Sequence, residues 1–119
     1  MQIHILKSKM HQARITECEL HYEGSLGIDL ALMDEVGMLP YERILVVNAS
    51  NGERLETYAI PEKRGSKTFC LNGAAARRGQ VGDQITIMSF AGCSPEEAAT
   101  LERRVIVLNA NNQIIKKRP

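Results

Sequence analysis

The spacing of hydrophobic and polar residues predicts a chain built mainly from short β-strands. In Gln2–Leu6 and in His11–Thr16, apolar residues recur at every second position, which is the period of a strand with one buried face. The continuous apolar run within Arg43–Asn48 favours a strand that is buried on both faces. Further strands are predicted for Arg54–Ile60, Thr68–Leu71, Gln84–Phe90 and Arg104–Leu108.

Glycine and asparagine mark the predicted turns and the end of one helix. The pair Asn51-Gly52 lies between two strand-like runs and predicts a hairpin, because both positions of its turn tolerate positive φ. A helix over Ile28–Val36 is predicted from apolar residues four positions apart, and Gly37 would end it. A brief helical turn is expected at Asn72–Arg78, and the basic tail Gln113–Pro119 is expected to be frayed.

A second short helix has a clear start signal at Ser94. Its side chain can cap the helix, Pro95 suits the first helical position, and Glu97 stands where a capping box requires a carboxylate. Many short strands, a turn signal about every ten residues and few helices predict a small closed β-barrel. The length of 119 residues favours a single domain over residues 1–119.

Charge and composition exclude several classes of partner. Lys and Arg number 15 and Asp and Glu number 14, so nothing favours binding to nucleic acid or to an anionic membrane. No apolar run approaches the ~20 residues that span a bilayer, and no signal peptide is recognised. The odd number of cysteines fits reduced thiols in the cytoplasm better than a disulfide framework: Cys18, Cys70 and Cys93.

Common catalytic motifs are missing from the chain. There is no G-x-G-x-x-G, no P-loop and no H-E-x-x-H, and the three histidines lack the spacing of a metal-binding helix, so no metal site is expected. One segment remains of interest, H-Y-E-G-S at His21–Ser25. On its own, this segment is most simply a strand end followed by a glycine turn and a serine helix cap.

Three other motifs change that interpretation. Together with H-Y-E-G-S, their order and spacing resemble the aspartate 1-decarboxylase family, pyruvoyl-dependent enzymes that make β-alanine. The resemblance extends from Met1 to Phe90, and the last thirty residues carry little of it. The three motifs are N-G-x-R-x-x-T-Y-A-I from Asn51, R-G-S from Arg64 and N-G-A-A-A from Asn72.

The resemblance implies a fold, an activity and a cofactor. The fold would be a six-stranded double-psi β-barrel, assembled as a homotetramer with active sites between subunits. The activity would be decarboxylation of L-aspartate to β-alanine and CO2 in pantothenate biosynthesis. The chain would cleave itself between Gly24 and Ser25, giving pieces 1–24 and 25–119. Ser25 would thereby become a covalent pyruvoyl group that forms a Schiff base with the substrate.

The residues at the predicted cleavage site suit that chemistry. The Ser25 hydroxyl can attack the Gly24 carbonyl and convert the peptide bond into an ester, and elimination and hydrolysis then leave a pyruvoyl group. Glycine at position 24 can hold a strained backbone and presents no Cβ to the nucleophile. By resemblance, Thr57 assists this processing.

The remaining site residues also follow from the resemblance. Tyr58 would be the proton donor, and Lys9 and Arg54 would bind the substrate carboxylates, with their assignment to each carboxylate left open. Strand alternation places Arg54 and Tyr58 on one face. His11 and Tyr22 match positions in the active-site region. Other residues expected near the cleavage site or the substrate are Thr57, Asn72, Gly73, Ala74 and Ala75.

Two alternative functions stay open from the sequence. Double-psi barrels also serve as non-catalytic binding modules, and such a module would keep Ser25 intact. A self-cleaving hydrolase with an N-terminal serine nucleophile would be cut at the same bond but would retain the amine of Ser25.

Overall fold

The computed structural model describes all 119 residues and confirms a mainly β structure with three short helices. The helices are α1 (Leu30–Val36), α2 (Pro95–Thr100) and a 3-10 helix over Gly73–Arg78. None of them is long and apolar enough to cross a membrane. The strands are β1 (Ile3–Arg14), β2 (Glu17–Glu19), β3 (Ser25–Asp29), β4 (Arg43–Asn48), β5 (Arg54–Glu62), β6 (Phe69–Asn72), β7 (Gln84–Cys93), β8 (Arg104–Leu108) and β9 (Ile114–Arg118).

The strands pair in the order β2-β6-β3-β5-β4-β7-β1-β8-β9. β2 follows β1 after only Ile15 and Thr16, and the Thr16 N–H donates to the Phe69 carbonyl of β6 at 2.9 Å. β1 and β2 therefore form one continuous path, which pairs with β7 at one end and with β6 at the other. This path closes a ring of six strand positions, as predicted for a small barrel, and β8 and β9 lie outside the ring.

The core lies inside this ring and follows the two-residue period of the strands. Leu26 and Ile28 of β3, and Phe69 and Leu71 of β6, belong to this core and are at most 1% exposed, although the alternate residues of these two strands are buried as well. β4 differs from the sequence prediction of a strand buried on both faces. After the exposed Arg43, its residues alternate between buried and half-buried, so only one face of β4 is fully covered.

The first two predicted strands are a single strand in the structure. β1 continues through residues 7–10 because Ser8 and Met10 are fully buried and extend the alternation. Its register against β7 shifts between Leu6 and Ser8 and again between Met10 and Ala13, where Gln12 has φ +66°. These irregularities bend the strand, as β-bulges do, without ending it.

α1 begins two residues later than predicted. Ile28 is buried in β3, and Asp29 caps the helix by accepting the Ala31 N–H at 2.9 Å. The Asp29 carboxylate also accepts the N–H groups of Gly65 and Lys67, so it holds the loop before β6. An apolar residue at position 28 fits the hydrophobic period of both the strand β3 and the helix α1. The N-cap residue Asp29 therefore determines where the helix begins.

Two of the remaining turn and cap predictions are confirmed: Gly37 ends α1 with φ +68°, and the capping box at Ser94 and Glu97 is formed. β4 and β5 also make the predicted hairpin, but only Gly52 in its turn has a positive φ, and Asn51 does not. The prediction of a frayed tail is wrong, because Ile114–Arg118 forms β9 on the open edge of β8. The three cysteines form no disulfide.

Candidate active site

Ser25 is the first residue of β3 and lies between two other strands. It stands opposite Asn72 in the antiparallel pairing with β6. β3 also pairs in parallel with β5 through Leu26 and Ala59, and one residue earlier that register places Ser25 beside Tyr58. Because Leu26 and Ala59 point into the core, Ser25, Asn72 and Tyr58 share the outer face of the sheet.

The Ser25 hydroxyl is buried and hydrogen-bonded on both sides. Ser25 is 1% exposed and Asn72 is 3% exposed. The Asn72 Nδ2 donates to Ser25 Oγ at 3.1 Å, and Ser25 Oγ donates to the Glu23 carbonyl at 3.3 Å. Asparagine commonly caps helices, but the Asn72 side chain does not cap the 3-10 helix that follows it. Its amide donates to Ser25 Oγ instead.

Cys70 extends this network, and sequence reasoning did not assign it to the site. Its thiol donates to Asn72 Oδ1 at 3.1 Å, and the residue is 6% exposed. Burial, followed by the negative charges of Glu17 and Glu62, raises the pKa of the thiol to about 11. The thiol is therefore protonated at neutral pH. In the sequence, Cys70 stands two residues before Asn72, and on a strand this spacing places both side chains on the same face.

Gly73 lies against the segment that contains the predicted cleavage bond. Its φ is +69°, and a Cβ there would lie 2.7 Å from Gly24 N and from the Tyr22 carbonyl oxygen. Gly24 itself has no positive φ. Glycine is required at position 73, because only a residue without a Cβ permits both the left-handed backbone and the close approach to Tyr22 and Gly24.

The 3-10 helix carries the rest of the predicted small-residue loop. Ala74 is exposed and Ala75 is half-buried, so the first turn of this helix borders solvent next to Gly73. On the other side, His21–Gly24 are exposed, with Tyr22 at 58%. The buried Ser25 hydroxyl thus lies at the boundary between a packed strand and two accessible backbone segments.

β5 carries three predicted site residues on two faces. Arg54 and Tyr58 are on the outer face, and Tyr58 packs near Tyr41 with ring centroids 6.2 Å apart. Arg54 is exposed, forms no ion pair and lies about 13 Å along the strand from Tyr58. Thr57 points to the opposite side of β5 from Tyr58 and is paired in register with the buried Ile44.

Lys9 and His11 are on β1, in the part of the β1–β2 path that pairs with β7 and β8. His11 Nδ1 lies 3.3 Å from Thr86 Oγ1, and burial, followed by the charges of Lys9 and Arg118, lowers the pKa of His11. Lys9 forms no ion pair. Ser25 stands opposite Asn72, and the register partner of Asn72 on the β1–β2 path is Glu19, ten residues after Lys9, so Lys9 lies well along the path from Ser25. Within one copy, the structure brings Ser25, Asn72, Gly73 and Tyr58 together but leaves Lys9 apart.

Comparison with known proteins gives one consistent result. The family model described as aspartate decarboxylase matches residues 1–115. The chain is 53% identical to the aspartate 1-decarboxylase of Bacillus subtilis over 110 residues, which cover 92% of this chain and 87% of the relative. It is 46% identical to that of Salinibacter ruber over 118 residues, covering 99% and 81%. For the Maricaulis maris enzyme, the identity is 44% over 117 residues, covering 98% and 97%.

Proposed function

Because the chain belongs to the aspartate decarboxylase family, we propose that it converts L-aspartate to β-alanine and CO2 and so supplies β-alanine for pantothenate biosynthesis. One structural observation carries the proposal. The buried hydroxyl of Ser25 is held by Asn72 at the end of a strand, directly after an exposed glycine and beside Tyr58. A serine at such a position can be converted into a reactive carbonyl without rearrangement of the barrel.

The proposed conversion is self-cleavage of the Gly24–Ser25 bond. Ser25 Oγ attacks the Gly24 carbonyl carbon, the amide nitrogen leaves that carbon, and an ester joins the two residues. Elimination then releases the Gly24 carboxylate and leaves a dehydroalanine at position 25, which water hydrolyses to a pyruvoyl group and ammonia. The products are residues 1–24 and residues 25–119.

The position of Ser25 fits a pyruvoyl group. Its side chain faces outward between Asn72 and Tyr58, where a ketone at the same position could meet a substrate amine. The preceding residues His21–Gly24 are exposed, so the cleaved end can move aside. A pyruvoyl group supplies a conjugated carbonyl that accepts the electron pair released by decarboxylation.

The chain's own residues bind the substrate and move the proton. Tyr58 is the neighbour of Ser25 on the same face, so its hydroxyl is the group to protonate the carbon that loses CO2. Arg54 and Lys9 have no carboxylate partner within the chain and are free to bind those of aspartate. Thr57 assists the processing, and Thr57, Asn72 and the segment Gly73–Ala75 contact the substrate.

We propose that the working form is a homotetramer whose sites combine residues of two copies. The separation of Lys9 from Ser25 within one copy supports this arrangement. Co-expression of Lys9→Ala chains with Ser25→Ala chains tests it. Each variant alone should be inactive, whereas random mixing should restore about one quarter of the sites. Mixed oligomers without activity would contradict a shared site.

The three free thiols support a reducing compartment, so we propose that the protein acts in the cytoplasm. The test is whether periplasmic export lowers its activity through mispaired cysteines. If periplasmic and cytoplasmic preparations have equal activity and equal free thiol content, this basis for the location fails.

Intact-mass analysis of the purified protein tests the proposed chemistry directly. We expect two chains, with the longer one lighter by one ammonia than a chain that begins with unmodified serine. Ser25→Ala should remain one chain and be inactive. An uncut protein without decarboxylase activity would instead indicate a binding module. A cut protein that retains the Ser25 amine would indicate a hydrolase with an N-terminal serine nucleophile.

A further inference from the structure

The amide of Asn72 can bind Ser25 in two orientations, and the structure contains a group that selects one. Nδ2 donates to Ser25 Oγ only if Oδ1 points the other way, toward Cys70. A protonated thiol offers a hydrogen-bond donor and is only a weak acceptor. The thiol therefore pairs with Oδ1 and leaves Nδ2 for Ser25.

We propose that Cys70 is a positioning residue for self-cleavage, because its thiol holds the Asn72 amide in the orientation that presents Nδ2 to the Ser25 hydroxyl. The inference rests on the proposed function, since cleavage at Ser25 is what it acts on.

The orientation of the amide decides where the Ser25 proton points. With Nδ2 as the donor, Ser25 Oγ accepts one hydrogen bond and directs its own proton to the Glu23 carbonyl. With the amide reversed, Oδ1 would compete with Glu23 for that proton, and Nδ2 would face a thiol with little capacity to accept. Cys70 removes this second arrangement.

The surroundings of Cys70 keep its thiol in the donating form. Glu17 is its register partner on β2, and Gly27 is its partner on β3. Glu62 covers Gly27 so closely that its carboxylate occupies the place where a Cβ would be. These carboxylates oppose formation of a thiolate, as burial does. A thiol that stays protonated and is 6% exposed is poorly suited to nucleophilic or redox chemistry, which leaves hydrogen bonding as its role.

Four variants test the proposal: Cys70→Ser, Cys70→Ala, Cys70→Val and, as a control, Cys93→Ala. Chains are made by cell-free synthesis, and the rate of cleavage is followed by intact mass together with the melting temperature of each variant. Cys70→Ala and Cys70→Val should cleave about three- to tenfold more slowly, the worth of one neutral hydrogen bond. Cys70→Ser keeps a donor but its hydroxyl can also accept a hydrogen bond, so it should cleave faster than Cys70→Val and no faster than the wild type. Cys93 is also buried but lies outside the network, so Cys93→Ala should leave the rate unchanged.

The pattern across the variants separates positioning from packing. Val retains bulk without a donor, and Ser retains the donor with less volume. Faster cleavage by Cys70→Ser than by Cys70→Val, regardless of the order of their melting temperatures, would support the proposal. Wild-type rates for both Cys70→Ala and Cys70→Val, or a Cys70→Ser variant as slow as Cys70→Ala, would overturn it. If the wild-type chain itself stays uncut, the proposed function fails first.

Discussion

Replacement of Gly73 with alanine should show whether its close approach to residues 22–24, next to the proposed cleavage bond, affects processing separately from the stability of the fold. The new Cβ would be placed 2.7 Å from Gly24 N and from the Tyr22 carbonyl oxygen, and 2.8 Å from Gly24 Cα. All three atoms belong to the backbone, so no flexible side chain can move away. The segment 22–24 must shift, and that shift changes the geometry at the Gly24–Ser25 bond.

The cost of this substitution has two parts. A left-handed φ of +69° costs a residue with a Cβ about 1–2 kcal/mol, and forcing an additional methyl group into a packed contact costs about 1–3 kcal/mol. The sum of about 2–5 kcal/mol is within the ordinary stability of a domain, about 5–15 kcal/mol. We therefore expect a folded protein with a lower melting temperature and with cleavage slowed at least tenfold.

Gly52 provides the matched control. Its φ is +77°, and no heavy atom lies within 4 Å of the Cβ that alanine would add. Gly52→Ala should therefore lose only the conformational part and cleave at the wild-type rate. Both variants are compared by thermal unfolding and by intact mass over time. Cleavage of a folded Gly73→Ala at the wild-type rate would refute the link between the close approach and processing.

Three further predictions concern catalysis, recognition and stability. Tyr58→Phe should still be cleaved but turn over about 10²–10⁴-fold more slowly, whereas Thr57→Val should accumulate uncut chain. A denaturing gel measures the cleavage and CO2 release measures the turnover. Normal turnover of cleaved Tyr58→Phe would exclude Tyr58 as the proton donor, and normal cleavage of Thr57→Val would exclude Thr57 from processing. Arg54→Ala should lower kcat/KM about tenfold or more, while Arg77→Ala should have little effect; equal losses in correctly processed proteins would reject the assignment. Burial raises the pKa of Asp29, but its backbone hydrogen bonds outweigh burial and hold that pKa below the ordinary 3.8. Asp29→Asn should thus lower unfolding free energy by about 1–3 kcal/mol at pH 7, with the difference shrinking as pH falls below about 4; a gap that does not narrow in acid would contradict this.

Local sequence signals predicted the elements whose cause is local. The hairpin at Asn51-Gly52 and the capping box at Ser94 depend on residues only a few positions apart, and both are formed. The boundary at Ile28 was missed because an apolar residue fits either period. The tail 113–119 was missed because the partner that orders it is the edge of another strand, β8.

The site shows the same division between local and distant causes. Family resemblance selected Ser25, Asn72 and Gly73, and strand alternation placed Tyr58 on an accessible face. The contact of Gly73 with Gly24, and the hydrogen bond of Asn72 to Ser25, join positions that are 47 to 49 residues apart. Such contacts depend on the register between β3 and β6, which the sequence pattern does not specify. Cys70 could be recognised only after that register was known.

The position of β1 has a consequence for how a cleaved molecule would unfold. Residues 1–24 contain β1 and β2, which are hydrogen-bonded to β6, β7 and β8. After a cut at Gly24, this fragment would be a non-covalent subunit of the barrel that the longer fragment cannot replace. Denaturation would then separate two molecules, and their reassociation would be second order. The refolding yield of the cleaved protein should therefore fall more steeply on dilution than that of the uncut Ser25→Ala variant. Processing would make the lifetime of the folded barrel depend on how slowly it unfolds, that is, on its kinetic stability.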